Sequence, residues 1–267
     1  MKNKIIILLV TILIIVACQT VPITHRRQIS LLPESQMIGM SLTNYKEFLQ
    51  QHPVSKDREK QEMVKRVGDK IAQAVTQFMK SKHLGKRIKD YQWEFTLVDE
   101  NIPNAWCMPG GKVVVYTGIL PFTQTEAGLA VVMGHEIAHA IARHGNERMS
   151  QSMLLQMGGM ALSAAIDSKP EKTKAIFLGA YGVGTNLGLM LPFSRTHETE
   201  ADKLGLVFMA MAGYNPEEAV TFWERMSKSG GQKPPEILST HPSDETRIKD
   251  LKEFLPEAMK YYKKANK

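Results

Sequence analysis

Leu129-Ala-Val-Val-Met-Gly-His135-Glu136-Ile-Ala-His139-Ala-Ile-Ala-Arg-His144 carries an H-E-x-x-H motif inside a helical pattern. Leu129, Val132, Met133, Ile137, Ala140 and Ile141 recur at three- and four-residue spacing, which marks the apolar face of a buried helix. Thr123 and Glu126, three apart just upstream, read as a capping box that starts it. Residues four apart stand one above the other on a helix, so His135 and His139 present two imidazoles to one point. Two neutral imidazoles suit zinc, and Glu136 beside them is placed to take a proton from water. The bland alternative is three polar residues on an ordinary helix. Burying two histidines and a glutamate among alanines without a purpose is costly, so a third ligand decides between the two.

That ligand comes in Pro192-Phe-Ser-Arg195-Thr-His197-Glu198-Thr-Glu200-Ala-Asp202, which continues at helical spacing through Leu206, Met209 and Ala210 to a terminating Gly213. Glu198 and Asp202 share a face, whereas Glu200 points elsewhere. Glu198 makes a zinc ligand. Asp202 can accept a hydrogen bond from the free ring nitrogen of a zinc histidine, expected to be His135. Two histidines and one glutamate with an open fourth position form the catalytic rather than the structural zinc arrangement. The alternative, a solvated acidic helix start favoured by the helix dipole, does not account for the H-E-x-x-H helix.

The segments between these motifs indicate an α+β fold, mainly helical, with a small β-sheet beside the motif helix. Pro33 and Glu34 open a helix ended by His52-Pro53, and Met63, Val64, Val67, Ile71, Ala74, Val75 and Phe78 stripe a second one from Asp57. Trp93, Phe95 and Leu97 alternate with polar residues, and Val113 to Thr117 follows a Pro109-Gly110-Gly111 turn, so two strands precede the motif helix. An exposed edge at Gly111, Val113 and Val115 would hold an extended substrate through main-chain hydrogen bonds; the alternative is an interior strand. Apolar stretches Met153–Ile166 and Ala175–Leu191 suggest a buried helical hairpin, with a membrane-dipping or gating hairpin as the sharper alternative.

These motifs resemble the gluzincin metallopeptidases. The words Asn104-Ala-Trp-Cys-Met-Pro-Gly-Gly-Lys, Gly134-His-Glu-Ile-Ala-His-Ala-Ile-Ala-Arg-His, Phe193-Ser-Arg-x-x-Glu-x-Glu-Ala-Asp and Ser239-Thr-His241-Pro-Ser-x-x-x-Arg247-Ile narrow the resemblance to the HtpX and CAAX prenyl protease family. The chain is most similar to its soluble branch, which holds periplasmic lipoprotein proteases and a mitochondrial stress protease. The resemblance implies cleavage of misfolded or unassembled envelope proteins. Prenyl-peptide processing is disfavoured because multiple membrane spans are lacking. His241 has three readings: oxyanion stabiliser, resting-state occupant of the open zinc position as the resemblance implies, or structural loop histidine. Arg247 and Arg195 either brace acidic groups near the site or make ordinary surface pairs.

Composition bounds the rest. The chain has 267 residues, a formal charge of +7 and two cysteines, Cys18 and Cys107. The mild, dispersed charge disfavours nucleic acid as a partner. Lys2 and Lys4 followed by the apolar run Ile5 to Val16 read as a secretory signal, and Ile15-Val-Ala-Cys18 resembles a lipobox. We therefore expect residues 1–17 to be removed, Cys18 to be acylated, 18–32 to act as a tether, and 33–267 to form one peptidase domain bound to the bilayer. Gln19 after the lipid cysteine points to the outer membrane, facing the periplasm, if enterobacterial sorting applies. One zinc ion per chain is expected on His135, His139 and Glu198, with Glu136 and His241 catalytic and unfolded polypeptides as substrates. A tightly gated, chaperone-like assembly factor is the competing expectation.

Overall fold

The motif helix, α4 (Glu126–Ile141), is buried on every side from Gly128 to Ile141. In the computed structural model the described residues are 18–185, 191–228, 241 and 245–265; the expected signal segment lies outside them. The chain divides into two units, one holding residues up to 33 with 143–198 and the other 34–142 with 199–267.

The larger unit is built around a three-stranded sheet, β3 (Glu94–Val98), β4 (Ala105–Met108) and β5 (Lys112–Tyr116), in the order β3-β5-β4. β3 runs parallel to β5 and β4 antiparallel to it. The strand that begins after Gly111 is therefore interior, paired on both sides, and the expected substrate edge at Gly111, Val113 and Val115 is corrected: Val113, Val114 and Val115 are fully buried. Continuous apolar character without alternation is what a strand covered on both faces requires. The outer strand beside α4 is β4, which its sequence, Ala-Trp-Cys-Met, did not mark as a strand. On the other side, Val54 bridges to Val98, and Ser55 donates to the Leu97 carbonyl at 2.8 Å, so residues 53–55 cover the β3 edge. Gly110 and Gly111 take positive φ at the β4–β5 turn, and a Cβ on Gly111 would lie 2.9 Å from the Trp93 ring, so glycine is required.

Helices α1 (Glu34–Gln51) and α2 (Arg58–Ser81) follow the expected boundaries. Asp57 caps α2 by accepting from the Lys60 amide. The buried face of α2, from Val64 through Val67, Ile71 and Val75 to Phe78, packs beside α4 and β3. A short helix, α3 (Leu120–Thr123), precedes α4. Gln124 at φ 61° stops α3, so the chain enters α4 one residue later and Thr125, not Thr123, caps it through the Gly128 amide. The expected capping box is corrected accordingly, and Glu126 instead pairs with Arg66 and Tyr214.

The later helices are α7 (Leu191–Met211), α8 (Glu218–Lys228) and α9 (Glu245–Ala265). Gly213 at φ 85° ends α7, while the Tyr214 amide returns to the Met209 carbonyl. Phe222, Trp223 and Met226 of α8 are buried.

In the smaller unit, β1 (Cys18–Thr20) and β2 (Arg27–Ile29) pair antiparallel, so the segment expected as a tether contains a hairpin. Helices α5 (His144–Ala165) and α6 (Glu171–Thr185) form the helical hairpin. Its expected burial is corrected: Met157, Met160 and Ile176 are 59, 65 and 70% exposed. No helix among the described residues is long and apolar enough to cross a membrane.

Candidate active site

His135, Glu136 and His139 are all buried within α4. Leu129, Met133 and Ile137 around them are fully buried, and each contributes roughly 1.5–3 kcal/mol of apolar burial, enough to offset the cost of enclosing the polar trio. One helical turn brings the Nε2 atoms of His135 and His139 to 3.0 Å. His241 enters from the segment before α9, with Nδ1 3.1 Å from His135 Nε2 and Nε2 3.5 Å from a Glu136 carboxylate oxygen. Glu198 lies on α7 one turn before Asp202. The ligand atoms of His135, His139, Glu198 and His241 all fall within 4.8 Å of one another.

The donor set fits zinc. Two further ring nitrogens lie 3.0 and 3.1 Å from His135 Nε2, so the lone pairs of all three can be turned to one ion. A tetrahedral zinc site with Zn–N of about 2.05 Å separates its nitrogens by about 3.3 Å, close to the 3.0 and 3.1 Å found here.

A buried support holds His135. Its Nδ1 lies 2.9 Å from Asp202 Oδ1, and Arg247 Nη2 lies 2.6 Å from the same oxygen. Arg247 Nη2 is also 3.3 Å from His135 Nδ1. Both nitrogens cannot donate to each other, and the shorter contacts to Asp202 assign each N–H to the carboxylate, leaving the His135 Nε2 lone pair for a metal. Burial alone would raise the Asp202 carboxyl, but Arg247 and His135 outweigh it and hold it below its ordinary value. Arg247 further donates to the His241 carbonyl at 3.3 Å and stacks its guanidinium 3.5 Å over the Trp223 ring. Of the two sequence readings of Arg247, bracing is the one found.

Close approach of α4 and α7 makes this support possible. A Cβ on Gly205 would lie 3.0 Å from the His135 amide nitrogen. Sequence reasoning missed Gly134, Gly205 and Trp223; the only signal was a glycine directly before the motif and another three residues after Asp202. It also passed over Glu200 and Glu147, which are buried, and His197, which pairs with Glu147. Burial pushes the Cys107 thiol well up, with the Glu136 charge adding to it, so this cysteine is a protonated neighbour of the site and not a nucleophile.

Comparison with known proteins agrees with this geometry. The model of peptidase family M48 matches residues 59–255. The mitochondrial metalloendopeptidase OMA1 of Schizosaccharomyces pombe is 40% identical over 173 residues, which is 64% of this chain and 49% of that protein. The human mitochondrial metalloendopeptidase OMA1 is 34% identical over 67% of this chain and 35% of its own length. The beta-barrel assembly-enhancing protease of Escherichia coli is 30% identical, covering 67% of this chain and 38% of that protein. The chain thus spans half or less of the length of these curated relatives. A match that runs from α2 into α9, and so takes in both histidines of α4, the acidic pair of α7 and the Arg247 brace, shows that the chain belongs to peptidase family M48.

Proposed function

We propose that the chain cleaves unfolded or unassembled polypeptides at a cell-envelope membrane, as a protease of protein quality control. The observation that carries the reading is the convergence of His135, His139 and Glu198 with Glu136 beside them. These three side chains would hold zinc, which supplies a Lewis acid and lowers the pKa of water towards neutrality. Glu136 takes the proton of the attacking water and returns it to the leaving nitrogen. Asp202, braced by Arg247, keeps His135 in the ligating tautomer. The substrate lies along β4, the outer strand nearest α4, in place of the interior strand β5.

A second reading is favoured by the position of His241 within the ligand cluster: the resting enzyme is gated, with His241 in the open zinc position. The beta-barrel assembly-enhancing protease of Escherichia coli suggests an assembly role that such gating would suit. Acylated Cys18 would fix the chain to the outer membrane, facing the periplasm. The test is cleavage of casein by the zinc-loaded chain, with bound zinc measured alongside. Wild type should cut, and Glu136→Gln should keep zinc while losing at least a hundredfold in rate. Equal rates would remove Glu136 from its role. Acyl labelling that persists in Cys18→Ala would remove the anchor.

A further inference from the structure

The smaller unit contains a buried charge cluster that the proposed reaction leaves unused. Glu147, in the first turn of α5, accepts both terminal guanidinium nitrogens of Arg26 at 2.7 Å each. Its carboxylate also pairs with His197 Nε2 at 2.8 Å. The Glu147 and His197 side chains are each 2% exposed. His144 stacks on His197, with centroids 4.2 Å apart and rings 16° from parallel. Burial would raise the Glu147 carboxyl, yet Arg26 and His197 outweigh it and keep it below the usual range, so the group stays charged at neutral pH.

Arg26 sits directly before β2, and the hairpin that presents it is tied down at several points. Arg143 donates to Gln19, the Leu31 amide donates to Ser150 Oγ at 2.9 Å, and Asn146 donates to the Leu32 carbonyl at 2.8 Å. At the far end of the chain of contacts, His197 is the residue immediately before Glu198.

We propose that Arg26, Glu147 and His197 form a latch through which the N-terminal hairpin positions the Glu198 turn of α7 and so sets the affinity for zinc. The inference rests on the reading of Glu198 as a zinc ligand. A residue pinned by its side chain fixes the backbone of the next one, so the Glu147–His197 bond limits where Glu198 can point. Arg26 keeps the Glu147 carboxylate satisfied in place; without the guanidinium fork this buried charge must draw in water or swing out, taking His197 with it. All three are positioning residues and touch no substrate. β1 begins at Cys18, so whatever orders or pulls on that residue acts on the strand paired with the one beside Arg26. Coupling of this kind is reciprocal: a docked hairpin tightens zinc, and bound zinc holds the hairpin down.

The test uses the full chain with Arg26→Ala, Arg26→Lys, Arg26→Gln and Glu198→Gln. Zinc affinity is read by chelator competition, the ligand field by the visible spectrum of the cobalt-substituted chain, and hairpin protection by hydrogen exchange with and without zinc. Arg26→Ala should bind zinc about 10- to 100-fold more weakly, the range for partners of metal ligands, with an altered cobalt spectrum. Arg26→Lys should recover part of the loss and Arg26→Gln little, and zinc should slow exchange at the Val21 amide in wild type only. If Arg26→Ala does not fold, the Lys and Gln variants carry the comparison. Wild-type zinc affinity and spectrum across the Arg26 series, while Glu198→Gln loses zinc, would overturn the latch alone. Wild-type affinity in Glu198→Gln overturns the ligand assignment and the latch with it.

Discussion

Gly134 and Gly205 meet backbone to backbone where α4 crosses α7, with room for no side chain: a Cβ on Gly134 would lie 3.1 Å from the Gly205 carbonyl oxygen, and one on Gly205 3.0 Å from the His135 amide nitrogen. Backbone cannot give way as a flexible side chain can. Gly205→Ala should therefore move the helices apart by a few tenths of an ångström and cost about 1–3 kcal/mol. Asp202 is three residues further back on α7 and would be carried away from His135, lowering zinc affinity about tenfold. Thermal melts with and without zinc measure both effects. A destabilised chain with unchanged zinc affinity would show that the crossing serves only packing.

Asp202→Asn tests the support of His135 directly. Asparagine keeps the shape and an acceptor oxygen but removes the charge that both His135 Nδ1–H and Arg247 address. Zinc affinity should fall about 10- to 100-fold, the usual loss for a carboxylate behind a metal histidine. The buried Arg247 guanidinium also loses its counter-charge, so the zinc-free chain should be less stable by about 3–5 kcal/mol. Chelator competition and urea unfolding read the two losses separately.

How much of this was legible in the sequence depends on whether a residue acts through its neighbours in the chain or through space. His135, Glu136, His139, Glu198 and Asp202 were legible because helical spacing alone sets which of them share a face. α1 and α2 were legible from their stripes and from the punctuation of Pro33, Pro53 and Asp57. The interior place of β5 was not, because strand order is a long-range property and a run of valines suits an edge or a centre equally until its partners are known. Nor was the Gly134–Gly205 crossing, since a glycine in a helix reads as a weakness until another backbone lies against it. The shift of the α4 cap from Thr123 to Thr125 turns on one left-handed residue, Gln124, which no pattern announced.

Acid should expose the charge of Glu147. Burial raises its carboxyl, but Arg26 and His197 more than offset this, so its folded pKa lies below the ordinary 4.5. A carboxylate depressed in the folded state adds stability that is fully present above its unfolded value and lost as pH falls through the folded one. Glu147→Gln should thus be destabilised relative to wild type at about pH 5, and the gap should close as pH falls below about 4.5. Urea midpoints of the two chains across that range provide the check; a gap that widens in acid would reverse the sign and the argument.

The β4 edge makes a prediction that separates binding from folding. Tyr116 donates to the Asn104 carbonyl, and Asn104 stands opposite Tyr116 in the register, so 104, 106 and 108 turn their main-chain groups towards β5. Cys107 by alternation turns its own outward. Cys107→Pro removes that N–H without breaking a ladder bond to β5. Compared with Cys107→Ala, it should lose about 5- to 10-fold in kcat/KM on extended peptides, the worth of one main-chain hydrogen bond, with the loss in KM and a melting temperature nearly unchanged. Equal kinetics for the proline and alanine variants would take the substrate off this strand.

His241 decides between a gate and a catalyst. Its Nδ1 lies 3.1 Å from His135 Nε2 and its carbonyl is held by Arg247, so the ring is aimed at the ligand cluster by the same arginine that braces Asp202. A fourth ligand there competes with water for the open zinc position. His241→Ala should therefore keep zinc, with somewhat weaker affinity, and cleave casein several-fold faster than wild type. Steady-state rates at saturating zinc make the comparison. If the rate falls a hundredfold instead while zinc stays bound, the imidazole is stabilising the transition state, since losing one such donor costs about that much. The gate would then have to be sought elsewhere, and the position of His241 in the ligand cluster would describe one state of a side chain that moves during turnover.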